Sequence, residues 1–167
     1  MKGNRIWLSL FSLVFSLNAS WGKNTLISNY HPGSWYPGEI EYLLTSDTEI
    51  EQISLKNTSW QQAQADQLNF SATNEVLWIR LRLNEQDSAN NYTLLIDYPI
   101  IDSLSVWFYQ NEELVKDYHT GSHLNFYSRP TPHPLFRFSI LKGNQEILIR
   151  ARASLNLQVP LKLFPNK

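Results

Sequence analysis

Hydrophobic and polar residues alternate along the second half of the chain in short runs. In the run VLWIRLRL (76–83), four aliphatic side chains fall on one side of an extended chain, opposite a valine, a tryptophan and two arginines. The run EILIRARA (146–153) repeats the pattern and places Arg150 and Arg152 on one face. A side-chain period of two indicates β-strands that each bury one face.

The same alternation, interrupted by turn residues, predicts eight or nine short strands. The predicted strands are 39–45, 49–55, 76–83, 92–98, 104–110, 114–119, 135–141, 146–153 and 158–164. The segment KGNQ (142–145) predicts a hairpin, and Pro160 predicts an edge strand or a bulge. Residues 60–68 could form a short helix, although no apolar stripe supports one. The pattern predicts an all-β fold, most naturally a sandwich or jelly roll.

The first residues have the character of an export signal. Lys2 and Arg5 precede an apolar run at 6–17, and small residues follow it. No later run of about 20 apolar residues exists, so we predict no transmembrane segment after signal cleavage. We divide the chain into a signal peptide (1–22), an N-terminal segment (23–38) and one domain (39–165). The expected location is periplasmic or secreted.

Composition narrows the possible partners and cofactors. The net charge is -1 and 17% of residues are charged, which gives no bulk electrostatic case for nucleic acid. Aromatic residues reach 13%, as expected for a β-rich globular domain. The absence of cysteine excludes disulfides, thiolate-bound zinc, a thiol nucleophile and a lipid anchor on cysteine.

The predicted outer strand faces collect flat aromatic rings and guanidinium groups. These residues are Trp78, Arg80, Arg82, Trp107, Tyr109, Arg137, Arg150 and Arg152. Two interpretations remain open. In the first, the arginines cover the rings and pair with nearby acids. In the second, the face stacks against a ligand and binds its hydroxyl or carboxylate groups. For Arg80, in the middle of its strand, we favour a structural role with Asp97 or Asp102 as the partner.

Catalytic and metal-binding motifs are weak. Phosphate loops and the common hydrolase and EF-hand patterns do not occur. The remaining candidates are paired acids for a hydrolase (Glu39 with Glu41, Glu49 with Glu51), acids for calcium (Asp47, Glu49, Asp87) and a histidine pair for a metal (His119, His123). We predict no catalytic residue, metal or cofactor.

Five segments then occur in a distinctive order. They are EVLWIRLRLN (75–84), YTLLIDYPIIDSLSVWFYQN (92–111), TGSHLNFYSRP (120–130), FRFSIL (136–141) and EILIRARAS (146–154). The set resembles the type-2 extracellular domain of bacterial receptors with seven transmembrane helices and diverse intracellular signalling modules. The matching positions are Trp78, Arg80, Ile101, Asp102, Leu104, Tyr109, Gly121, Arg129, Pro130 and Arg150. The resemblance covers roughly residues 35 to 165.

This resemblance implies a jelly-roll β-sandwich similar to carbohydrate-binding modules and a periplasmic sensory role. The implied ligand is a carbohydrate or a related small molecule, and the implied partner is a membrane receptor or a second copy. Candidate ligand-binding residues are Trp78, Arg80, Asp102, Trp107, Tyr109, Arg129 and Arg150. They would act on the aromatic and arginine face or in a cleft near Asp102 and Arg129.

Alternatives remain at this point. The chain stops about where such a receptor would enter the membrane, so it is a stand-alone sensor, a gene remnant or the ectodomain of a longer receptor. Exposed Trp107 and Tyr109 would suit a protein–protein interaction module. A calcium-responsive sensor and, less favoured, a small carbohydrate-active hydrolase are the other candidates. We expect a non-catalytic ligand-sensing domain.

Overall fold

The computed structural model describes residues 39–46, 53, 60–63, 68–83, 91–144 and 146–166. Within them lie nine strands: β1 (Glu39–Thr45), β2 (Gln61–Gln62), β3 (Val76–Arg82), β4 (Tyr92–Ile96), β5 (Ser103–Gln110), β6 (Glu113–Thr120), β7 (Phe136–Ile140), β8 (Glu146–Arg152) and β9 (Leu161–Pro165). The predicted signal peptide, the N-terminal segment and most of the predicted strand 49–55 lie outside the described residues. The two-residue strand β2 occupies part of the segment for which a short helix was considered.

The strands form two antiparallel sheets. The larger has the order β2-β1-β3-β8-β5-β6, and the smaller has the order β7-β4-β9. The chain changes sheet between β3 and β4, β4 and β5, β6 and β7, β7 and β8, and β8 and β9. Such repeated crossing is the connection pattern of a jelly roll. The predicted all-β sandwich is confirmed.

The alternating apolar sets form the core between the two sheets. Every set predicted to point inward is buried or packs against this core, from Leu77, Ile79 and Leu81 on β3 to the Phe136, Phe138 and Ile140 set on β7. Because a strand side chain alternates strictly between faces, burial of these sets fixes which residues of the same strands face outward.

A second apolar cluster lies on the outer face of the six-stranded sheet. This outer-face cluster consists of Ile53, Val76, Trp78, Trp107 and Leu148, with Leu43, Trp60 and Tyr109 packed against it. The indole rings of Trp78 and Trp107 are stacked, 5.6 Å between centroids at an interplanar angle of 15°. Trp78 is 0% exposed and Trp107 is 8% exposed, so the predicted exposure of Trp107 is wrong. Ile53 and Trp60, which are distant in sequence from Trp107, contribute to the cluster that buries the Trp107 side chain.

The alternation and turn residues also predict a hairpin between 104–110 and 114–119, and the two predicted hairpins have different outcomes. β5 and β6 are paired neighbours joined by Asn111 and Glu112, whose φ angles of 50° and 66° suit a tight hairpin turn. The KGNQ hairpin is wrong, because β7 pairs with β4 whereas β8 pairs with β3 and β5. That turn is an arch between the sheets. Pro160 immediately precedes β9, which is an edge strand as predicted.

Candidate functional site

The strand register places the predicted site residues of the outer face side by side. Trp78 lies opposite Arg150, which in turn lies opposite Ser105, and Ser105 lies opposite His119. The next row runs Glu41, Arg80, Leu148, Trp107 and Asp117. Five of the seven predicted ligand-binding residues therefore share this face: Trp78, Arg80, Trp107, Tyr109 and Arg150.

The half of this face nearest β1 is closed by an ion pair and the outer-face cluster. Arg80 is 3% exposed, and its Nε and Nη2 lie 2.7 Å and 2.6 Å from Glu41 Oε2. Its guanidinium also stacks on the Trp60 ring, 4.4 Å from the centroid. The partner of Arg80 is thus Glu41 on the adjacent strand, and neither Asp97 nor Asp102 as we predicted. The Glu41 carboxylate also pairs with a second arginine, since Arg82 Nη1 lies 3.4 Å from Glu41 Oε2.

The half nearest β6 carries hydrogen-bonding side chains, of which Ser105 is buried and the others are half-buried or exposed. We call it the polar strip: Ser103, Ser105, Asp117, His119, Arg150 and Arg152. His119 Nδ1 lies 2.9 Å from Ser105 Oγ, and its Nε2 lies 3.0 Å from Asp117 Oδ2. The His119 ring stands edge-on against Trp107 at 5.8 Å. The imidazole and the carboxylate are both well exposed, at 58% and 48%.

Sequence reasoning missed most of the polar strip. Ser103, Ser105 and Asp117 were not considered as site residues, and His119 was considered only as a metal ligand beside His123. The available signal was the alternation of β5, which puts both serines on the Trp107 face. The pairing of β6 with β5, which adds Asp117 and His119, requires the register.

Asp102 links three connections between strands at the end of the sandwich where β5 and β9 begin. They are its own connection, between β4 and β5, and those between β6 and β7 and between β8 and β9. Ser154 donates from its backbone N–H to Asp102 Oδ2 at 2.6 Å and also from its hydroxyl. His123 Nε2 lies 3.3 Å from Oδ1, and the His123 backbone N–H donates to the Asp102 carbonyl at 3.2 Å. The Ser154 hydroxyl is the largest cause that lowers the pKa of Asp102, and the Ser154 backbone N–H and the nearby His123 lower it further against partial desolvation.

The lowered pKa of Asp102 predicts an acid dependence of stability. Its folded-state pKa lies below 3.8, so its contribution is present above that value and is lost as the pH falls through the folded-state pKa. Asp102→Asn should therefore destabilise the chain at pH 6, and the difference from the wild type should shrink as the pH is lowered to 3. Urea denaturation at both pH values measures this. An equal difference at the two pH values would contradict the assignment.

Arg129 fastens the long connection between β6 and β7. Its Nη1 donates to the carbonyls of His133, at 2.8 Å, and of Pro134. The guanidinium lies 4.4 Å from the centroid of the Phe136 ring and 5.1 Å from that of Phe126, and burial lowers its pKa. Asp102 and Arg129 are therefore each engaged with partners of their own at this end of the sandwich.

A comparison with family models identifies the domain to which these features belong. The model of the family described as 7TMR-DISM extracellular 2 matches residues 39–165. The chain belongs to this family. The resemblance inferred from the ordered motifs is confirmed, and it marks the domain as an extracellular sensory part of a receptor. No curated protein matches the chain.

Several residues that carry the 7TMR-DISM resemblance have structural tasks here. Gly121 packs against the backbone of Asp102: a Cβ at this position would lie 2.2 Å from the Asp102 carbonyl oxygen, and φ is +150°. The backbone at Gly121 and the backbone at Asp102 are thus in close contact at one end of the sandwich, with no room for a side chain between them. Trp78 and Arg80, as described above, belong to the closed half of the outer face.

Large apolar side chains of the domain are exposed near this same end. They are Ile100 (48%), Leu124 (48%), Phe126 (45%), Tyr127 (87%) and Leu155 (74%). They lie on the three connections that Asp102 links. Exposed apolar side chains therefore occur on these connections, and also at Leu114, Val115 and Leu141, whereas we predicted them at Trp107.

Only some of the predicted metal-binding histidines and paired acids lie among the described residues. Among the described residues, no group of three or more histidine or acidic side chains is arranged to hold a metal ion. His119 and His123 bind separate partners, Asp117 and Asp102. Asp47, Glu49, Glu51 and Asp87 lie outside the described residues. No helix of the described part is long and apolar enough to span a membrane.

Proposed function

We propose that the chain is a non-catalytic, periplasmic ligand-sensing domain that binds a carbohydrate or a related small molecule on the polar strip. Membership of the 7TMR-DISM extracellular family supports the sensory role. The proposed ligand class rests on the chemistry of the strip. Hydroxyl, imidazole, carboxylate and guanidinium groups offer both donors and acceptors to a polyhydroxylated ligand.

The hydrogen-bonded series Ser105, His119 and Asp117 is the observation that carries this proposal. The three side chains orient one another at 2.9 Å and 3.0 Å, while the imidazole and the carboxylate remain open to solvent. Neighbouring strands lie about 5 Å apart, so these groups stand at fixed spacings on a rigid sheet. A site whose polar groups are already oriented loses less entropy when a ligand binds.

The buried tryptophans support the strip from below. With Trp107 only 8% exposed, its ring cannot serve as an open stacking platform. It holds His119 in place through the edge-on contact instead. In this proposal, Trp78, Arg80 and Trp107 position the strip, and Ser105, which is 6% exposed, orients His119. The ligand contacts Ser103, Asp117, His119 and Arg150.

Thermal-shift screening of the purified chain against neutral sugars, uronic acids and calcium tests the proposal. A ligand present at 100 times its dissociation constant stabilises the fold by about 2.7 kcal/mol, which is readily measured. We expect a shift with a member of the sugar panel and its loss in His119→Gln. The matched control is His123→Gln, which alters the histidine that pairs with Asp102 and should retain the shift.

The outcomes separate the candidate sites and functions. A shift that is lost in His123→Gln and kept in His119→Gln would place the ligand beside Asp102 and contradict the polar strip. A shift with calcium alone would favour the calcium-responsive alternative. If no compound produces a shift, protein binding through the exposed apolar connections becomes the better explanation. Turnover of a glycoside would contradict the non-catalytic assignment.

A further inference from the structure

We propose that a second copy of this chain docks against the edge of β6 that faces away from β5, so that the larger sheets of the two copies join across a twofold axis. This inference goes beyond the proposed function, because it assigns a partner and a surface and requires no ligand. Its basis is the position of β6 in the sheet, the length of this strand and the order of its side chains.

Strand β6 is the longest strand at a sheet edge in the described part of the chain. It spans Glu113–Thr120 and, among the described strands, pairs only with β5. The strand at the opposite edge, β2, has two residues, and the edge strands of the smaller sheet, β7 and β9, have five each. An edge strand presents backbone N–H and C=O groups that can pair with another strand, and a very short edge limits such pairing.

The side chains of β6 are accessible to a partner. Six of its eight residues are exposed, and they include Leu114 and Val115, each more than half exposed. The strand contains neither proline nor glycine, which would interrupt pairing. The register with β5 shifts between Phe108 and Tyr109, which marks a bulge near the start of β6. The regular part of the edge is therefore 116–120.

The pleat and the charges of this part favour one register. A twofold axis normal to the sheet keeps each side chain on its own face, so residues that lie opposite each other must be an even number of positions apart. An axis at Lys116 or at Asp117 would place two like charges directly opposite each other, which is destabilising. An axis at Tyr118 avoids this, and an axis farther along would pair fewer residues. With the axis at Tyr118, Asp117 lies opposite the partner's His119, and His119 lies opposite the partner's Asp117.

This register brings an imidazole and a carboxylate together on each side of the axis. Both groups are well exposed and lie 3.0 Å apart within one copy, so they share the outer face. The Cβ atoms of directly opposite residues lie about 5 Å apart, so each carboxylate can accept a hydrogen bond from the imidazole of either copy. The Lys116 ammonium lies over its own Tyr118 ring, 5.0 Å from the centroid, and Lys116 lies opposite the partner's Thr120. The polar strips of the two copies then adjoin across the axis.

Analytical ultracentrifugation of the full chain over a range of concentrations tests the inference. Pairing along one short edge gives a small interface, so we expect a weak dimer whose population rises with concentration. Asp117→Lys places a lysine opposite the partner's His119, and His119→Asp places an aspartate opposite the partner's Asp117. Each variant alone should associate about tenfold more weakly than the wild type, because each altered contact occurs twice across the axis.

A mixture of the two variants tests the register itself. In the mixed dimer, the introduced lysine lies opposite the introduced aspartate on one side of the axis, and the native Asp117 and His119 lie opposite each other on the other side. We expect the mixture to associate at least as tightly as the wild type. A role of these residues within one copy alone would not produce this recovery. Both positions are exposed, and the Tm of each variant verifies that it folds.

Arg137→Glu is the matched control. Arg137 is an exposed residue of β7, which is an edge strand of the smaller sheet. Reversal of its charge should leave the association of the chain unchanged. A loss of association in this variant would place the contact at the other sheet and would overturn the inference.

The remaining outcomes separate this inference from the proposed function. A chain that is monomeric at every concentration would overturn the inference, as it would if another segment of the same chain covered the edge of β6. A dimer that Asp117→Lys and His119→Asp do not weaken, or that their mixture does not restore, would also overturn it. The proposed function survives each of these results, because the polar strip of one copy suffices for the thermal shift and for its loss in His119→Gln.

Discussion

Gly121→Ala should destabilise the domain by about 3 kcal/mol, because the backbone at this position has no room for a side chain. A Cβ would lie 2.2 Å from the Asp102 carbonyl oxygen, 2.7 Å from its carbonyl carbon and 2.9 Å from the Ser103 Cα. All three atoms belong to the backbone, and they lie where the chain enters β5. Relief of the clash would separate the two connections. Urea denaturation of the purified chain measures the loss.

Gly143→Ala provides the matched control. Gly143 also has a positive φ, +94°, but a Cβ there would first meet the side-chain amide of Gln110, at 2.7 Å from Nε2. Because that side chain can move, we expect a loss of about 1 kcal/mol, mainly from backbone strain. If the two variants lose the same stability, the close packing of Gly121 against Asp102 is not the cause.

Glu41→Gln should cost about 3 kcal/mol, since it removes the counter-charge of a buried guanidinium. The side chains of Arg80 and Glu41 are 4% and 13% exposed, so water replaces the lost interaction poorly. The substitution keeps the shape of the side chain and changes its charge. The unfolding free energy, from chemical denaturation monitored by tryptophan fluorescence, gives the magnitude.

Asp97→Asn is the control for this pair. Asp97 contacts Lys162, but its side chain is 36% exposed, and we expect a loss below about 1 kcal/mol. The double variant Glu41→Leu with Arg80→Met should be more stable than Glu41→Gln alone, because it removes both charges from the buried site. A double variant that is less stable than Glu41→Gln would show that packing of Arg80 on Trp60, rather than charge, dominates.

The fold could be read from the sequence to the extent that its determinants are local. The period of two in 76–83 and 146–153 reflects the pleat itself, so these strands and their inward sets were predicted well. The KGNQ turn marks the point where the prediction fails. A tight turn between two strands is the same local signal whether the second strand pairs with the first or crosses to the other sheet.

The site was harder to predict because it depends on contacts between distant segments. Glu41 and Arg80 are neighbours only because β1 pairs with β3 in one particular register. The burial of Trp107 depends on a cluster to which Ile53 and Trp60 contribute, and no pattern within β5 reveals it. The polar strip likewise needs β6 beside β5. The sequence therefore indicated which of these side chains share the outer face, but not which half of that face is open.

The outer-face cluster gives part of the domain three layers instead of two. Strand β3 has apolar packing above and below it, and six of its seven residues are buried. Such a strand opens to solvent only when the whole domain unfolds, so its amide protons should be among the slowest to exchange. A ligand bound on the adjacent strip would thus contact a part of the domain that resists local unfolding. Ligand binding would then move the domain as a rigid body relative to the rest of a receptor, with little rearrangement inside the domain.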